Sequence, residues 1–287
     1  MINCGFKLQG LRTVVVKIME SDQSSISKDD SNHIENSNYD TNNDFSNQDK
    51  GSDKDHSPIV LKVEDVYKIF DSPAGRFIAL KKLNFSVRKG EFVSIVGPSG
   101  SGKSTLLNIL GALDRPTSGR VLIDGIDIFS LDDNKIAEMR NKLIGYIFQS
   151  FNLINRSSVL KNVEIPSIFL GMSSKQRHQR AMKLLKVLGL ENKSQYKPMN
   201  LSGGQQQRVA IARCLMNNPA IILADEPTGN LDTKTGGEVF DLLKKLTKEL
   251  RRTIIFVTHN PQLASETDRV IFIKDGGIEK EERNETN

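Results

Sequence analysis

The chain has 287 residues, 37% of them hydrophobic, with 40 Lys and Arg against 35 Asp and Glu for a formal net charge of +5. That length supports one sizeable core, and a mild basic surplus without a clustered basic stripe argues against nucleic acid as a partner. Cys4 and Cys214 fit no metal or redox spacing and suit a reducing compartment, while no run approaches the ~20 apolar residues that a spanning helix needs.

Residues 1–20 place Lys7, Arg12 and Lys17 before the first acid, Glu20, among Ile2, Phe6, Leu8, Leu11 and Val14-Val15-Val16. Basic, acid-poor segments of this kind serve as organellar presequences or interfacial helices, but the shortage of serine weighs against targeting. Residues 21–57 hold nine acids and three lysines, and 23 of these 37 residues are Asn, Asp or Ser. So little can be buried there that the segment is predicted to be disordered, a passive extension with a net charge of −6. A folded domain is expected over residues 58–282, with 283–287 as a tail.

Ile59-Val60-Leu61-Lys62-Val63 and Leu83-Asn84-Phe85-Ser86-Val87 have strand character, as does Glu91-Phe92-Val93-Ser94-Ile95-Val96. The last runs into Gly97-Pro98-Ser99-Gly100-Ser101-Gly102-Lys103-Ser104, and Thr105-Leu106-Leu107-Asn108-Ile109-Leu110 then reads as a helix. A strand turning through glycines into a helix N-terminus aims backbone N–H groups and the positive end of the helix dipole at one spot. Lys103 adds a full charge for the β- and γ-phosphates, and the Ser104 hydroxyl suits Mg²⁺. The segment is expected to bind a nucleoside triphosphate.

Leu143-Ile144-Gly145-Tyr146-Ile147-Phe148 is a further strand, closed by Gln149. Between Gln149 and Leu201 the strand signal stops. Ala181, Leu184, Leu185 and Leu188 stand at i, i+3, i+4 and i+7, the stripe of an amphipathic helix that Gly189 ends. Phe151, Leu153, Ile154 and Val159 lie close together after Gln149, either as core or as an exposed groove. Leu201-Ser202-Gly203-Gly204-Gln205 then enters a helix whose Val209, Ala212 and Leu215 share one face, with Cys214 as a small buried residue beside them. This start is either a plain Ser202 cap or a second anion site that has no lysine. Ala220-Ile221-Ile222-Leu223-Ala224-Asp225-Glu226 is a buried-type strand ending in two acids, and Thr253-Ile254-Ile255-Phe256-Val257-Thr258-His259 ends in a histidine. Charge at the carboxyl ends of parallel strands lies where open α/β sheets bind ligands.

In this order, these elements resemble the ATP-binding cassette (ABC) ATPases over about four-fifths of the chain. The resemblance implies an α/β P-loop NTPase fold of the ABC type. Its parallel core sheet would carry an antiparallel β layer and a helical subdomain near residues 150–200 that docks on a membrane partner. It implies ATP and Mg²⁺ as ligands, held by residues 97–105, among them Thr105, with Ser104, Gln149 and Asp225 at the metal. Glu226 would polarise the attacking water and His259 would contact the γ-phosphate. Ser202, Gly203, Gly204 and Gln205 would close over the ATP of a second cassette, with Gly229-Asn230-Leu231-Asp232 touching the partner's site. The family's adenine platform falls on Phe70 in the best register, with Tyr67 as the alternative ring.

Gly111-Ala112-Leu113-Asp114-Arg115-Pro116-Thr117-Ser118-Gly119, Phe148-Gln149-Ser150-Phe151-Asn152-Leu153 and Pro227-Thr228-Gly229-Asn230-Leu231-Asp232 narrow the likeness to the macrolide-export and lipoprotein-release branch. With ten residues after Asp275-Gly276-Gly277, the regulatory domain of sugar-importer ATPases is not expected. The implied function is an ATPase that dimerises on ATP and drives transport through a separate transmembrane subunit at the cytoplasmic face of a membrane. The alternative is a non-transport ABC ATPase acting as a regulator or assembly scaffold.

Overall fold

Strand alternation builds the first layer. In the computed structural model, which describes residues 57–73 and 75–284, β1 (Ile59–Ser72) buries Leu61, Val63 and Val66 and turns Lys62 and Asp65 outward. It forms a long antiparallel hairpin with β2 (Gly75–Arg88), bulged near Val63, Val66 and Lys68. The bulges let pairing continue past polar residues, so both strands run well beyond the short segments expected from their apolar cores. β4 (Ser118–Ile123) and β5 (Ile126–Asp127) complete this sheet in the order β2-β1-β4-β5. Half of the antiparallel layer thus comes from residues 118–127, after the phosphate loop, a stretch in which no strands were expected.

The second sheet contains the buried-type strands. β3 (Phe92–Val96), β6 (Ile144–Phe148), β7 (Ile221–Asp225), β8 (Thr253–Val257) and β9 (Arg269–Lys274) run parallel, and β10 (Gly277–Arg283) closes one edge antiparallel. The order is β10-β9-β3-β8-β7-β6. Successive residues alternate between two cores, as the pleat requires. Val93, Ile95, Leu223, Ile255 and Ile271 pack toward the antiparallel layer and α1 (Lys103–Leu110). Phe92, Ile147, Ile222, Ile254 and Phe256 pack toward the opposite, helical side. There Phe92, Phe240 and Phe256 meet with ring centroids 5.4–5.8 Å apart.

α2 (Asp133–Leu143) leads into β6, and the helical layer then follows as α3 (Val159–Ile168), α4 (Ser174–Val187) and α5 (Gly203–Leu215). α4 buries Ala181, Leu184 and Leu185, starts at a Ser173/Gln176 capping box and stops before Gly189 in a left-handed conformation (φ 68°). α3 falls within the helical subdomain expected near residues 150–200, although its helix was not singled out; it holds Pro166 near its end, and Asn141 Nδ2 donates to that proline's carbonyl at 3.1 Å. Val159 is fully buried and Phe151 and Leu153 are half-buried, so of that apolar group only Ile154 is exposed. α6 (Thr233–Leu250) and α7 (Pro261–Ser265) complete the fold.

The fold's contacts include residues on either side of 58–282. Arg88 Nη1 donates to the Ser57 carbonyl at 2.9 Å, and Asn284 bonds to the Asp268 and Thr267 carbonyls. Residues 1–56, for which a basic segment and a disordered acidic extension were expected, lie outside the described residues, as do residues 285–287 of the expected tail.

Candidate functional site

Four neighbouring strands deliver the predicted residues to one sheet edge. Gly97 follows β3, Gln149 follows β6, Glu226 follows β7, and His259 lies two residues beyond β8. Phe148 is in register with Asp225, Asp225 with Val257, and Val257 with Ile95. The carboxyl ends therefore lie side by side, and residues more than 160 positions apart in sequence share one sheet edge, where open α/β sheets bind ligands.

The loop from Gly97 to Ser104 is braced from elsewhere in the fold. A Cβ on Gly97 would lie 2.0 Å from the Ile273 carbonyl oxygen of β9, and one on Gly102 would lie 2.6 Å from that of Ala79 in β2. Gly102 is also left-handed (φ 102°) as it starts α1, so glycine is required there twice over. Gly276 N–H donates to the Ser101 carbonyl, which ties the β9–β10 turn to the loop. Ala79, Ile273 and Gly276 support the loop through contacts made across strands, which no local sequence pattern reveals. Pro98, Ser99 and Gly100 are exposed, whereas Ser101 Oγ is buried and meets no hydrogen-bond partner among the described residues. Lys103 is almost buried and donates Nζ to the carbonyls of Gly97 at 2.9 Å and Pro98 at 2.7 Å. Burial lowers its pKa, and the nearby Glu226 and Asp225 carboxylates oppose that shift. Ser104 is exposed on the first turn of α1, with Thr105 beside it, half-buried.

Asp225 ends β7 half-buried, and its pKa is raised by burial, then by the Glu226 charge, against the pull of Lys103. Glu226 leaves the strand in a left-handed conformation (φ 43°), which turns its side chain away from the strand's alternation. Its Oε2 lies 3.2 Å from His259 Nδ1, and its backbone N–H donates to the Val257 carbonyl. The expected acid and histidine are therefore direct partners.

Gln149 is held by a loop not assigned to it beforehand. Asn230 Nδ2 donates to the Gln149 carbonyl at 3.0 Å, and Gln149 Nε2 reaches Asn230 Oδ1 at 3.4 Å. A Cβ on Gly229 would lie 2.7 Å from that same Nε2. Ser202 caps α5 by accepting the Gln205 N–H while the Gln205 side chain accepts the Ser202 N–H. The cap reading of this start is thus real, whatever else the segment binds. Gly203 lies against Leu231 and Phe151, and Gly204 faces Thr235 so closely that a Cβ would sit 2.3 Å from its methyl. Inside α5, the fully buried Gln207 donates to the Pro227 carbonyl at 2.7 Å, joining this helix to the turn after Glu226. Phe70 is 42% exposed, pairs across the hairpin with Phe77, and has Lys68 Nζ 4.8 Å from its ring centroid. Tyr67 is half-buried, and its carbonyl accepts the Thr117 N–H.

The ABC transporter family model matches residues 80–229. An uncharacterized ABC transporter ATP-binding protein of Thermotoga maritima is 51% identical over 224 residues, covering 78% of this chain and 95% of that protein. The macrolide export ATP-binding/permease protein MacB of Vibrio parahaemolyticus is 49% identical over 222 residues, 77% of this chain but 34% of MacB. The dimeric, post-hydrolysis structure of the cassette MJ0796 of Methanocaldococcus jannaschii, bound to ADP and Pi, superposes with a TM-score of 0.73 at 49% identity. It covers 79% of this chain and 100% of that one. Motif order, sheet topology and this degree of identity agree: the chain belongs to the ABC transporter ATP-binding family.

Proposed function

We propose that this ATPase works by closing two cassettes head to tail over two ATP molecules, and that the closing stroke drives a separate membrane-spanning subunit from the cytoplasmic face of the membrane. The reading rests on a division within one chain. The phosphate loop, both acids and His259 meet at one sheet edge, while the second glycine-rich helix start, at Ser202, stands on the helical layer and carries no lysine. A partial cradle of that kind is completed by the full cradle of another copy. The dimeric MJ0796 cassette supports the pairing, and the joining of cassette and permease in MacB supports the membrane partner. Among the described residues no helix is long and apolar enough to cross a membrane, which agrees with a partner supplying the path.

The residues divide the work by position. The loop amides from Gly97 to Thr105 and the Lys103 ammonium hold the phosphates and take up charge as it shifts toward the leaving oxygen. Glu226 accepts a proton from the attacking water, and His259, 3.2 Å away, orients that carboxylate. Ser202, Gly203, Gly204 and Gln205 approach the γ-phosphate of the opposite copy through the positive end of α5. The exposed Phe70 ring, rather than half-buried Tyr67, stacks on adenine.

Mg²⁺ fits the donors present. Among the described residues no cluster of three or more His, Cys, Asp or Glu is placed to hold a metal, and Mg²⁺ needs only one or two side-chain oxygens beside phosphate and water. Ser104 and Asp225 would supply them, with Gln149 at the rim, and the two adjacent carboxylates provide the charge. When bound, the ion would neutralise charge on the β- and γ-phosphates.

Glu226→Gln tests the reading, because an amide cannot take the proton. The variant is expected to bind ATP with normal affinity, to lose hydrolysis and to accumulate as a dimer at saturating Mg·ATP in light scattering. A protein that stays monomeric under those conditions refutes the sandwich.

A further inference from the structure

Arg213 lies in the last turn of α5, where a cation ordinarily serves its own helix's carboxyl end. Here it serves a different segment. Nη2 donates to the Phe151 carbonyl at 2.8 Å and Nη1 to the Asn152 carbonyl. Those two residues are consecutive and both left-handed, with φ 60° and 49°. A β-substituted residue such as phenylalanine rarely adopts that conformation, and two in a row persist only where the surroundings hold them.

The held segment begins two residues after Gln149. Its Phe151 ring reaches the other end of α5, lying 3.7 Å from where a Cβ on Gly203 would stand. The 149–152 loop therefore lies along the helix. Its backbone is fastened at the helix's carboxyl end, its ring rests at the amino end beside Ser202, and Gln149 is tied to Asn230. A planar guanidinium suits this task because its fixed fork sets the direction of both carbonyls at once.

We propose that Arg213 is a positioning residue for ATP hydrolysis: its two-armed grip on the Phe151 and Asn152 carbonyls makes Gln149 and the Ser202 end of α5 move as one body. The inference rests on the sandwich reading above, in which Gln149 senses one nucleotide and Ser202 the other. Without the grip, the loop relaxes from its left-handed conformation, and ATP at the phosphate loop no longer sets the position of α5.

The test uses the full-length chain with Arg213→Gln, in the wild type for turnover and in Glu226→Gln for dimerisation. ATP affinity of the monomer, read with a fluorescent ATP analogue, is expected to stay within about twofold. The ATP concentration for half-maximal dimerisation should rise about tenfold and kcat should fall about tenfold. Adding Asn152→Gly, which lowers the cost of the left-handed conformation below that of asparagine, should recover a measurable part of both losses. Should Arg213→Gln not fold, Arg213→Lys keeps the charge but not the planar fork, and about a threefold loss of the same kind is expected. Dimerisation and kcat within twofold of the parent would overturn the inference, as would ATP affinity falling in step with them or a failure of Asn152→Gly to rescue. A Glu226→Gln parent that itself remains monomeric overturns the sandwich reading, and the inference with it. A parent that dimerises no better than its Arg213 variant overturns the inference alone.

Discussion

Asp225 sits where the fold opposes its charge: burial raises its pKa and the Glu226 carboxylate raises it further. For an acid whose folded pKa lies above the unfolded one, the associated stability is full below the unfolded value. It is lost as pH rises through the folded value. Above that window the ionised pair is a standing cost, of the kind active sites keep for function. Asp225→Asn removes it. Allowing for solvent screening of a half-buried group, the gain in the nucleotide-free protein at neutral pH is about 1 kcal/mol, or a rise of about 2–4 °C in Tm. The difference should shrink toward zero below the ordinary aspartate value of 3.8, and hydrolysis should be lost at every pH. Thermal melts across pH decide it. Equal Tm values at neutral pH would mean that Lys103 already compensates the pair.

At the scale of elements, close packing depends on single missing methyls. Gly145 in β6 lies under α5, where a Cβ would stand 2.4 Å from Cys214 Sγ and 3.0 Å from the Cys214 carbonyl. Burial pushes that thiol's pKa up to about 12, so it behaves as a small apolar group. Gly145→Ala should cost about 1–3 kcal/mol by overpacking. Shrinking the sulfur site with Cys214→Ala should restore about 1 kcal/mol, a coupling expected of residues in contact. Urea unfolding of the four proteins measures it; strict additivity would mean that α5 shifts as a body. The same pair shows what a sequence reveals. Cys214 was legible as a buried residue from its place on an apolar stripe, and the loop of residues 97–104 was legible because its chemistry is written in adjacent letters. β10 was not, since Gly277–Arg283 is mostly charged. It becomes a strand through pairing with β9, where almost buried Arg269 bonds Glu281 at 2.8 Å and Glu91 at 2.9 Å. α3 was covered only by the general expectation of a helical subdomain, and the tie between Gln149 and Asn230 joins residues too far apart in sequence for periodicity to reveal.

For the whole molecule, the first described residue, Ser57, lies beside Arg88, just ahead of β3's amino end, whereas the site lies at the carboxyl end of that strand. Removing residues 21–56 should therefore leave turnover within about twofold, a barrier change of roughly 0.4 kcal/mol. The segment's excess of acids gives it no attraction to an anionic nucleotide. A loss of tenfold or more in steady-state hydrolysis would show that the segment reaches the site.

The helical layer presents an exposed apolar run that suits a membrane partner. Ile168, Phe169 and Leu170 follow one another at the end of α3 with 50%, 77% and 37% of their surface exposed. The run lies in the same layer that Gln149 leads into, so it is placed to move with the nucleotide state. Aromatic residues at interface centres carry a disproportionate share of binding energy, and burying one Phe side chain is worth about 1.5–3 kcal/mol. Phe169→Asp replaces that gain with an unpaired charge, so affinity for a membrane subunit should fall by at least about 30-fold, or about 2 kcal/mol. Because Phe169 packs little within the chain, folding and basal hydrolysis should stay within about twofold. Co-purification with detergent-solubilised membranes, scored beside ATPase turnover of the isolated chain, separates the outcomes. Retained membrane association would place the docking surface elsewhere on the cassette. Wild-type protein that never associates with membranes would favour the scaffold or regulator reading over transport.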